Sequence, residues 1–420
     1  MEHRVELLAV GTELLLGNIL NTNARDLSQL LSGLGLNVYH HTVVGDNPAR
    51  LTQAVEIAKG RADILITTGG LGPTCDDLTK KVVAGAFGLP LEFHPECEQS
   101  IRDYFAKSGR TMTANNLQQA YLPRGCTVLE NRWGTAPGCA FCVDGVHVVM
   151  LPGPPRECLP MFREEVTPYL AQLTQGVIHS RTLRIFGLGE SGVEQLLRDK
   201  MNTLQNPTLA PYAKEGEVEL RITAKAESVE EAKEMITPVE QEVRDILGDQ
   251  VYGADVTSLE EVVVPMLAKQ GLTLGTAESC TGGLIAKRVT DVPGASAVLQ
   301  GGVVSYTNAV KHNVLGVSQE VLDSQGAVCA EVARQMAQGA RKVLGCDLAV
   351  STTGVAGPDS DDRGNPVGLV YVALATPDGC EAVELHLGGA AQRRDRVRAL
   401  AANHALDLVR KYCLKMNNEE

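Results

Sequence analysis

Short apolar runs that end in glycine or a small polar residue recur along this chain, separated by longer stretches of helical periodicity. Residues 6–11 (ELLAVG), 63–70 (DILITTGG), 146–153 (VHVVMLPG), 272–279 (LTLGTAES), 347–354 (DLAVSTTG) and 368–376 (GLVYVALAT) are such runs. Between them, segments such as 24–35 and 329–345 repeat their apolar side chains every three or four positions. This alternation specifies α/β architecture, with parallel sheets covered by helices.

The pattern breaks once. From Val177 to about Gly253 the order reads strand, helix, strand, helix, with strands in SRTLRIFG (180–187) and GEVELRITAKA (216–226). A chain of 420 residues holds two to four domains at roughly 150 residues each. We therefore expect two three-layer α/β domains with mainly parallel sheets, at 1–172 and 255–420. A small α+β, KH-like module at 173–254 joins them. Its Gly189-Glu190-Ser191-Gly192 matches the G-x-x-G loop that clamps a phosphate backbone in KH domains, but Glu190 would repel phosphate. A spacer or dimerisation role, and a homodimer, are the expectation.

Aromatics make up 4% with a single Trp, so the cores must be built from Val, Leu, Ile and Ala. A net charge of -13 argues against direct nucleic-acid binding, which needs a basic face. A local basic pocket for an anionic small molecule remains compatible with it. The 11 cysteines, an odd count scattered over the length, read as reduced thiols. Cys139-Ala-Phe-Cys142 is read as a chance C-x-x-C inside a strand hairpin. The first apolar run is too short for a signal peptide and is broken by Glu13. No stretch approaches the ~20 apolar residues of a membrane span. The expected location is the cytoplasm, with no membrane partner.

Three strand ends converge in the first domain. They carry Gly11-Thr12-Glu13 with Asn21-Thr22-Asn23 beyond it, then residues 68–77 (TGGLGPTCDD), then Leu151-Pro152-Gly153-Pro154-Pro155. Loops after the carboxyl ends of parallel strands line the binding crevice of such folds. A glycine-rich loop feeding a helix can cradle phosphate. Asp76 and Asp77 are either caps of that helix or ligands of a divalent cation shared with the phosphate, with Glu13 as a third oxygen donor. We expect Asn23, Gly70, Gly72, Thr74 and Gly153 to touch the substrate.

GTELLLG…NTN, TTGGLGPTCDDLT and LPGPP, in this order over about residues 4–170, resemble the N-terminal domain of the CinA (competence/damage-inducible protein A) family. Only Cys75 fills a variable slot. That domain is similar to molybdopterin-binding domains. The resemblance implies metal-dependent hydrolysis of ADP-ribose to AMP and ribose 5-phosphate, with Mg, Mn or Co. A molybdopterin-binding role is the alternative.

In the last domain AESCTGG (277–283) places Ser279 at a strand-to-helix junction with no histidine near it in sequence. Local sequence supports two readings equally: a nucleophile, or an N-cap for a helix beginning at Thr281. Tyr306 and Lys311 follow in SYTNAVK, then residues 352–358 (TTGVAGP), then Arg393-Arg394-Asp395-Arg396-Val397-Arg398. A lysine becomes a base at neutral pH only when burial or a nearby cation lowers its pKa. A Ser–Lys pair with Tyr306 as relay answers the missing histidine; His312 is the weaker candidate. Arg394 and Arg398 share a helix face at i,i+4 and form the better phosphate pair.

These motifs resemble the C-terminal domain of the same family, from about Leu259 to Leu408, also found alone as nicotinamide mononucleotide (NMN) deamidase. The resemblance implies Ser279 as nucleophile, Lys311 and Tyr306 as its activators, and Thr353 and Arg394 as assisting or holding substrate, with Arg393 as the neighbouring alternative to Arg394. Thr281, Gly282, Gly283, Asn308, Gly354, Ala356, Gly357 and Arg398 would contact substrate. Backbone amides of the 281–283 turn, or near Thr353, would stabilise the oxyanion. No cofactor is expected in this half. Family members often carry Gly-Gly after Gly357-Pro358; this chain has Asp359-Ser360-Asp361-Asp362-Arg363-Gly364-Asn365. The expectation is a bifunctional pyridine-nucleotide recycling enzyme, with a non-catalytic adaptor in competence or DNA-damage response as its rival.

Overall fold

The computed structural model describes residues 3–74, 76–173, 176–388 and 393–419; Cys75 lies outside them. The chain forms two compact units, Met1–Ser180 with Ala224–Met235, and Arg181–Thr223 with Ile236–Glu420. No helix among the described residues is long and apolar enough to cross a membrane.

The first unit is built on a six-stranded sheet in the order Asn37–Val44, Arg4–Val10, Ile64–Thr68, Val146–Leu151, Gly138–Val143, Thr127–Leu129. The first four run parallel; Gly138–Val143 is antiparallel to Val146–Leu151, and Thr127–Leu129 is antiparallel to Gly138–Val143. Successive side chains of a strand point to opposite faces. Val5, Leu7, Ile64, Ile66 and Val149 accordingly pack with Leu27 and Leu31 of helix Thr22–Gly33. Leu8, Leu65, Val148 and Met150 pack on the other side with Leu51 and Val55 of helix Pro48–Lys59. Three layers result, as the alternation specified. Cys139 is buried and Cys142 exposed on the same hairpin strand, so the C-x-x-C does not face one way.

The second large sheet has the order Leu299–Val304, Leu274–Glu278, Leu348–Gly354, Leu369–Ala375, Cys380–His386. The first three strands are parallel. Residues 368–376 do form a strand, but it returns antiparallel, with Ser351 opposite Ala373. No helix intervenes to carry the chain back over the sheet. Helix Ala330–Leu344 covers one face through Val332, Met336 and Ala340. Helices Glu260–Gln270, Leu284–Asp291 and Arg394–Glu419 cover the other.

The small module has four strands, in the order Thr208–Lys214, Glu217–Ala226, Val177–Phe186, Val251–Ala254, and two helices, Glu190–Thr203 and Val229–Leu247. The sequence pattern missed both edge strands. Pro211 sits within one of them, opposite Leu220, and only an edge tolerates proline. The other is four residues long.

Candidate active sites

In the second sheet strand Leu274–Glu278 pairs with Leu299–Val304 on one side and Leu348–Gly354 on the other. The crevice beyond their carboxyl ends is the topological switch point. A cavity of about 440 Å³ opens there, lined by Ser279, Cys280, Tyr306, Asn308, Lys311, Thr353, Gly354, Ala356, Gly357 and Arg394 among others. That volume suits a small nucleotide.

Ser279 is the first residue past its strand and is 9% exposed. Its Oγ accepts a hydrogen bond from Lys311 Nζ at 3.0 Å. It is not a helix cap. Gly282 and Gly283 carry φ of 60° and 92°, a left-handed turn that glycine takes without strain. This turn delays the helix to Leu284, with Gly283 as its N-cap residue. Capping is done by Glu278, 0% exposed. Its two carboxylate oxygens accept the Ile285 N–H at 3.0 Å and the Ala286 N–H at 2.9 Å. A carboxylate there also meets the positive end of the helix dipole. Sequence reading missed Glu278; its signal was an acid directly before a strand-to-helix turn.

Lys311 lies one turn into helix Asn308–Leu315, whose N-cap is Thr307. It is 1% exposed, and Nζ also donates to the Ser305 carbonyl oxygen at 2.8 Å. Burial lowers its pKa to about 8. His312 turns elsewhere and bonds the Val317 carbonyl oxygen through Nδ1 at 2.7 Å. Tyr306 is 61% exposed. Its hydroxyl accepts from Arg394 Nη2 at 3.1 Å, so the Lys311–Ser279 contact is direct, without the expected relay.

Arg394 also donates to the Gly357 carbonyl oxygen at 2.6 Å and lines the cavity. Arg393 is paired with Asp395 and does not line it. The expected Arg394–Arg398 phosphate pair is not formed. Arg398 Nε donates to the Cys280 carbonyl oxygen at 3.1 Å and Nη2 to that of Thr281 at 2.7 Å. Thr281, Gly282 and Gly283 likewise belong to the turn and are absent from the lining; Thr281 is buried, its Oγ1 2.7 Å from Thr352 Oγ1, and Gly282 is exposed. None of residues 281–283, whose amides were expected to meet an oxyanion, lines the cavity, whereas Thr353 and Cys280, next to Ser279, do. Thr353 lines the cavity, but its hydroxyl donates to the Ala327 carbonyl oxygen at 2.6 Å.

The divergent loop after Pro358 is folded on itself. Asp361 Oδ1 accepts the Arg363 and Asn365 amides at 3.1 and 2.8 Å. Arg363 Nη1 donates to the Ser324 carbonyl oxygen at 2.8 Å, at the end of helix Gln319–Ser324. Asp359 and Asp362 add acidic wall to the cavity.

The first unit repeats the placement. Its cavity, about 580 Å³, lies beyond the carboxyl ends of Arg4–Val10, Ile64–Thr68 and Val146–Leu151. Asn23, Gly70, Gly72, Gly153, Glu13, Asp76 and Asp77 all line it, with Asp46, Gln119 and Glu157 added by the fold. A Cβ on Gly69 would come within 2.2 Å of the Val10 carbonyl oxygen, so the loop passes where only glycine fits. Asn23 Nδ2 donates to the Gly153 carbonyl oxygen at 2.7 Å, while its Oδ1 is buried without a partner. Thr74 does not line the cavity. Its amide and hydroxyl both donate to Asp77 Oδ2, at 2.8 and 2.6 Å. The helix Thr79–Ala86 has no side-chain cap, so neither aspartate caps it.

Carboxylate oxygens are the donors a hard divalent cation takes, so the chemistry of Glu13, Asp76 and Asp77 fits such an ion. They do not bring three oxygens together. Among the described residues the converging set is His94, Glu96 and Cys97, within 4.8 Å of one another. None of these lines the cavity, and a His94–Glu96 bond of 2.7 Å accounts for two of them.

The fold and its crevices define a modular α/β protein with a nucleotide-sized cavity at the strand ends of each large domain, one holding a buried Ser–Lys pair. Family models match in the same order: "Probable molybdopterin binding domain" over 6–172, "Damage-inducible protein CinA KH domain" over 180–253 and "CinA C-terminal domain" over 256–413. A putative competence-damage inducible protein of Caldanaerobacter subterraneus is 50% identical over 97% of this chain and 98% of its own length. A CinA-like protein of Dictyoglomus thermophilum is 48% identical over 98% of this chain and 100% of its own. A solved CinA structure from Thermoplasma acidophilum is 32% identical over 40% of this chain and 98% of its own, with a TM-score of 0.37. The chain belongs to the CinA family.

Proposed function

We propose that this chain is a bifunctional enzyme of pyridine-nucleotide recycling, working on two small nucleotides from the cytoplasm as a homodimer. Its C-terminal domain hydrolyses the carboxamide of NMN. The observation that carries this is the buried contact between Lys311 Nζ and Ser279 Oγ. A lysine held near neutrality by burial can take a proton at physiological pH.

In this reaction Ser279 Oγ attacks the carboxamide carbon as neutral Lys311 accepts its proton. The Cys280 amide, the one following the nucleophile, is the natural donor to the oxyanion. In the collapse the leaving amide nitrogen takes from Lys311 the proton that Ser279 gave up, and departs as ammonia. A water molecule, deprotonated by Lys311, then cleaves the acyl ester and frees nicotinate mononucleotide and Ser279. Arg394, aligned by Tyr306 and Gly357, offers a guanidinium to the nucleotide phosphate.

The N-terminal domain hydrolyses ADP-ribose in this account. Glu13, Asp76 and Asp77 would hold a divalent metal (Mg, Mn or Co), which when bound supplies charge to offset the phosphates. Gly69–Gly72 gives the phosphates close approach to backbone, and Asn23 offers its unpartnered Oδ1 to a donor on the substrate. The match to a molybdopterin-binding model favours one second reading, a pterin ligand in the same crevice. Purified chain given NMN or ADP-ribose, with and without EDTA, tests the proposal. Ammonia release should survive EDTA, and AMP formation should not. Binding of molybdopterin without AMP formation would favour the second reading.

A further inference from the structure

Arg398 and Glu278 are buried or half-buried charged groups beside the nucleophile, and neither touches the cavity. The two grip opposite ends of the 279–286 segment. Glu278 spends both oxygens on the amides of Ile285 and Ala286. Arg398 spends Nε and Nη2 on the carbonyl oxygens of Cys280 and Thr281. The segment between contains two left-handed glycines, the residues with the most backbone freedom to lose. The Glu278 carbonyl oxygen also accepts the Ser305 amide at 2.8 Å, and the Ser305 carbonyl oxygen in turn holds Lys311 Nζ. The clamp on the serine and the support of its base thus meet at one residue.

A peptide unit is planar, with its C=O and N–H pointing opposite ways. Fixing the Cys280 and Thr281 carbonyls therefore fixes the 280–281 and 281–282 peptide planes, and so anchors the chain one residue beyond Ser279. We propose that Arg398, with Glu278, is a positioning residue that locks the nucleophile turn and thereby holds Ser279 Oγ in its direction toward Lys311. This rests on the serine-nucleophile reading of the site. Arg398 acts through backbone, so its guanidinium geometry is what counts: lysine, a point charge with no planar fork, replaces it poorly.

The test uses the full chain with Arg398→Ala, Arg398→Lys and Glu278→Gln, measured for ammonia release from NMN and for the rate at which a fluorophosphonate labels Ser279. Misplacement of a reacting group by about 1 Å costs on the order of 100-fold. Arg398→Ala should lower kcat by about that factor with KM nearly unchanged, and slow labelling in parallel. Added guanidinium should restore part of both rates, and Arg398→Lys should not recover wild-type kcat. A raised KM with kcat retained would instead make Arg398 a substrate ligand and overturn the proposal. So would unchanged kcat and labelling, or a loss that guanidinium leaves untouched. Labelling needs no NMN, so if wild-type chain fails to release ammonia yet Arg398→Ala still slows labelling, the activity is wrong and the clamp stands.

Discussion

Lys311 Nζ stands 3.0 Å from Ser279 Oγ and 2.8 Å from the Ser305 carbonyl oxygen, buried at 1% exposure. Both members of the pair are therefore needed, and either can be removed alone. Lys311→Met keeps the volume and loses the base. It should reduce ammonia release from NMN at least about 1000-fold, as losing one member of a unit does, while circular dichroism stays that of the wild type. Activity within tenfold of wild type would show that another group takes the proton.

The pH dependence follows from burial. Lys311 is lowered from 10.5 to about 8, and only the neutral amine is a base. The rate constant kcat/KM for NMN should rise with pH and level off above about 8. Linkage has the same origin. Between about 8 and 10.5 the unfolded chain holds the proton that the folded chain has released, so this group's contribution to stability improves as pH rises through that window. Lys80, 7% exposed and also lowered to about 8 by burial, adds the same trend. Denaturant titrations of wild type and Lys311→Met from pH 7 to 10 isolate this group: wild type should gain stability relative to Lys311→Met as pH rises.

Glu278 predicts a stability effect. Glu278→Ala leaves the buried Ile285 amide without an acceptor, at about 1–3 kcal/mol, and the half-buried Ala286 amide as well, at a smaller cost. Its unfolding midpoint in urea should fall accordingly, and Glu278→Gln should lie between that variant and wild type. An unchanged midpoint would mean that water reaches those amides.

The two adjacent arginines separate cleanly. Arg394 reaches the cavity while Arg393 is held by Asp395 at the surface. Arg394→Ala should raise KM for NMN at least about tenfold, the effect of losing a charge-assisted bond of about 1.5 kcal/mol or more. Arg393→Ala should leave KM unchanged in the same assay.

In the N-terminal cavity, Asp77 ties down the amide and hydroxyl of Thr74. Asp76→Asn and Asp77→Asn should each raise the metal concentration that half-saturates AMP formation from ADP-ribose. Both should leave ammonia release from NMN at the wild-type rate.

What the sequence revealed and hid has a physical pattern. Glycine-ended apolar runs named the strand ends that carry Ser279 and Thr353; Lys311 and Arg394 lie on helices, and it was the family resemblance that joined them to the set. Helix starts were not legible. Ser279 looked like a cap because serine commonly is one, but two left-handed glycines move the helix on to Leu284 and a glutamate does the capping. Arg398 was read as a phosphate ligand because i,i+4 spacing gives a shared face. A shared face is not a shared environment: one turn further along, the guanidinium meets the carbonyls of the nucleophile turn. The small module's edge strands escaped because one holds a proline and the other is too short to show alternation.

The most direct measurement is ammonia released from NMN, in EDTA, by wild-type chain and by Ser279→Ala. The wild type should release one ammonia for each nicotinate mononucleotide formed, and Ser279→Ala should release none above background. No ammonia from the wild type, or an undiminished rate from Ser279→Ala, would contradict the Ser279–Lys311 account.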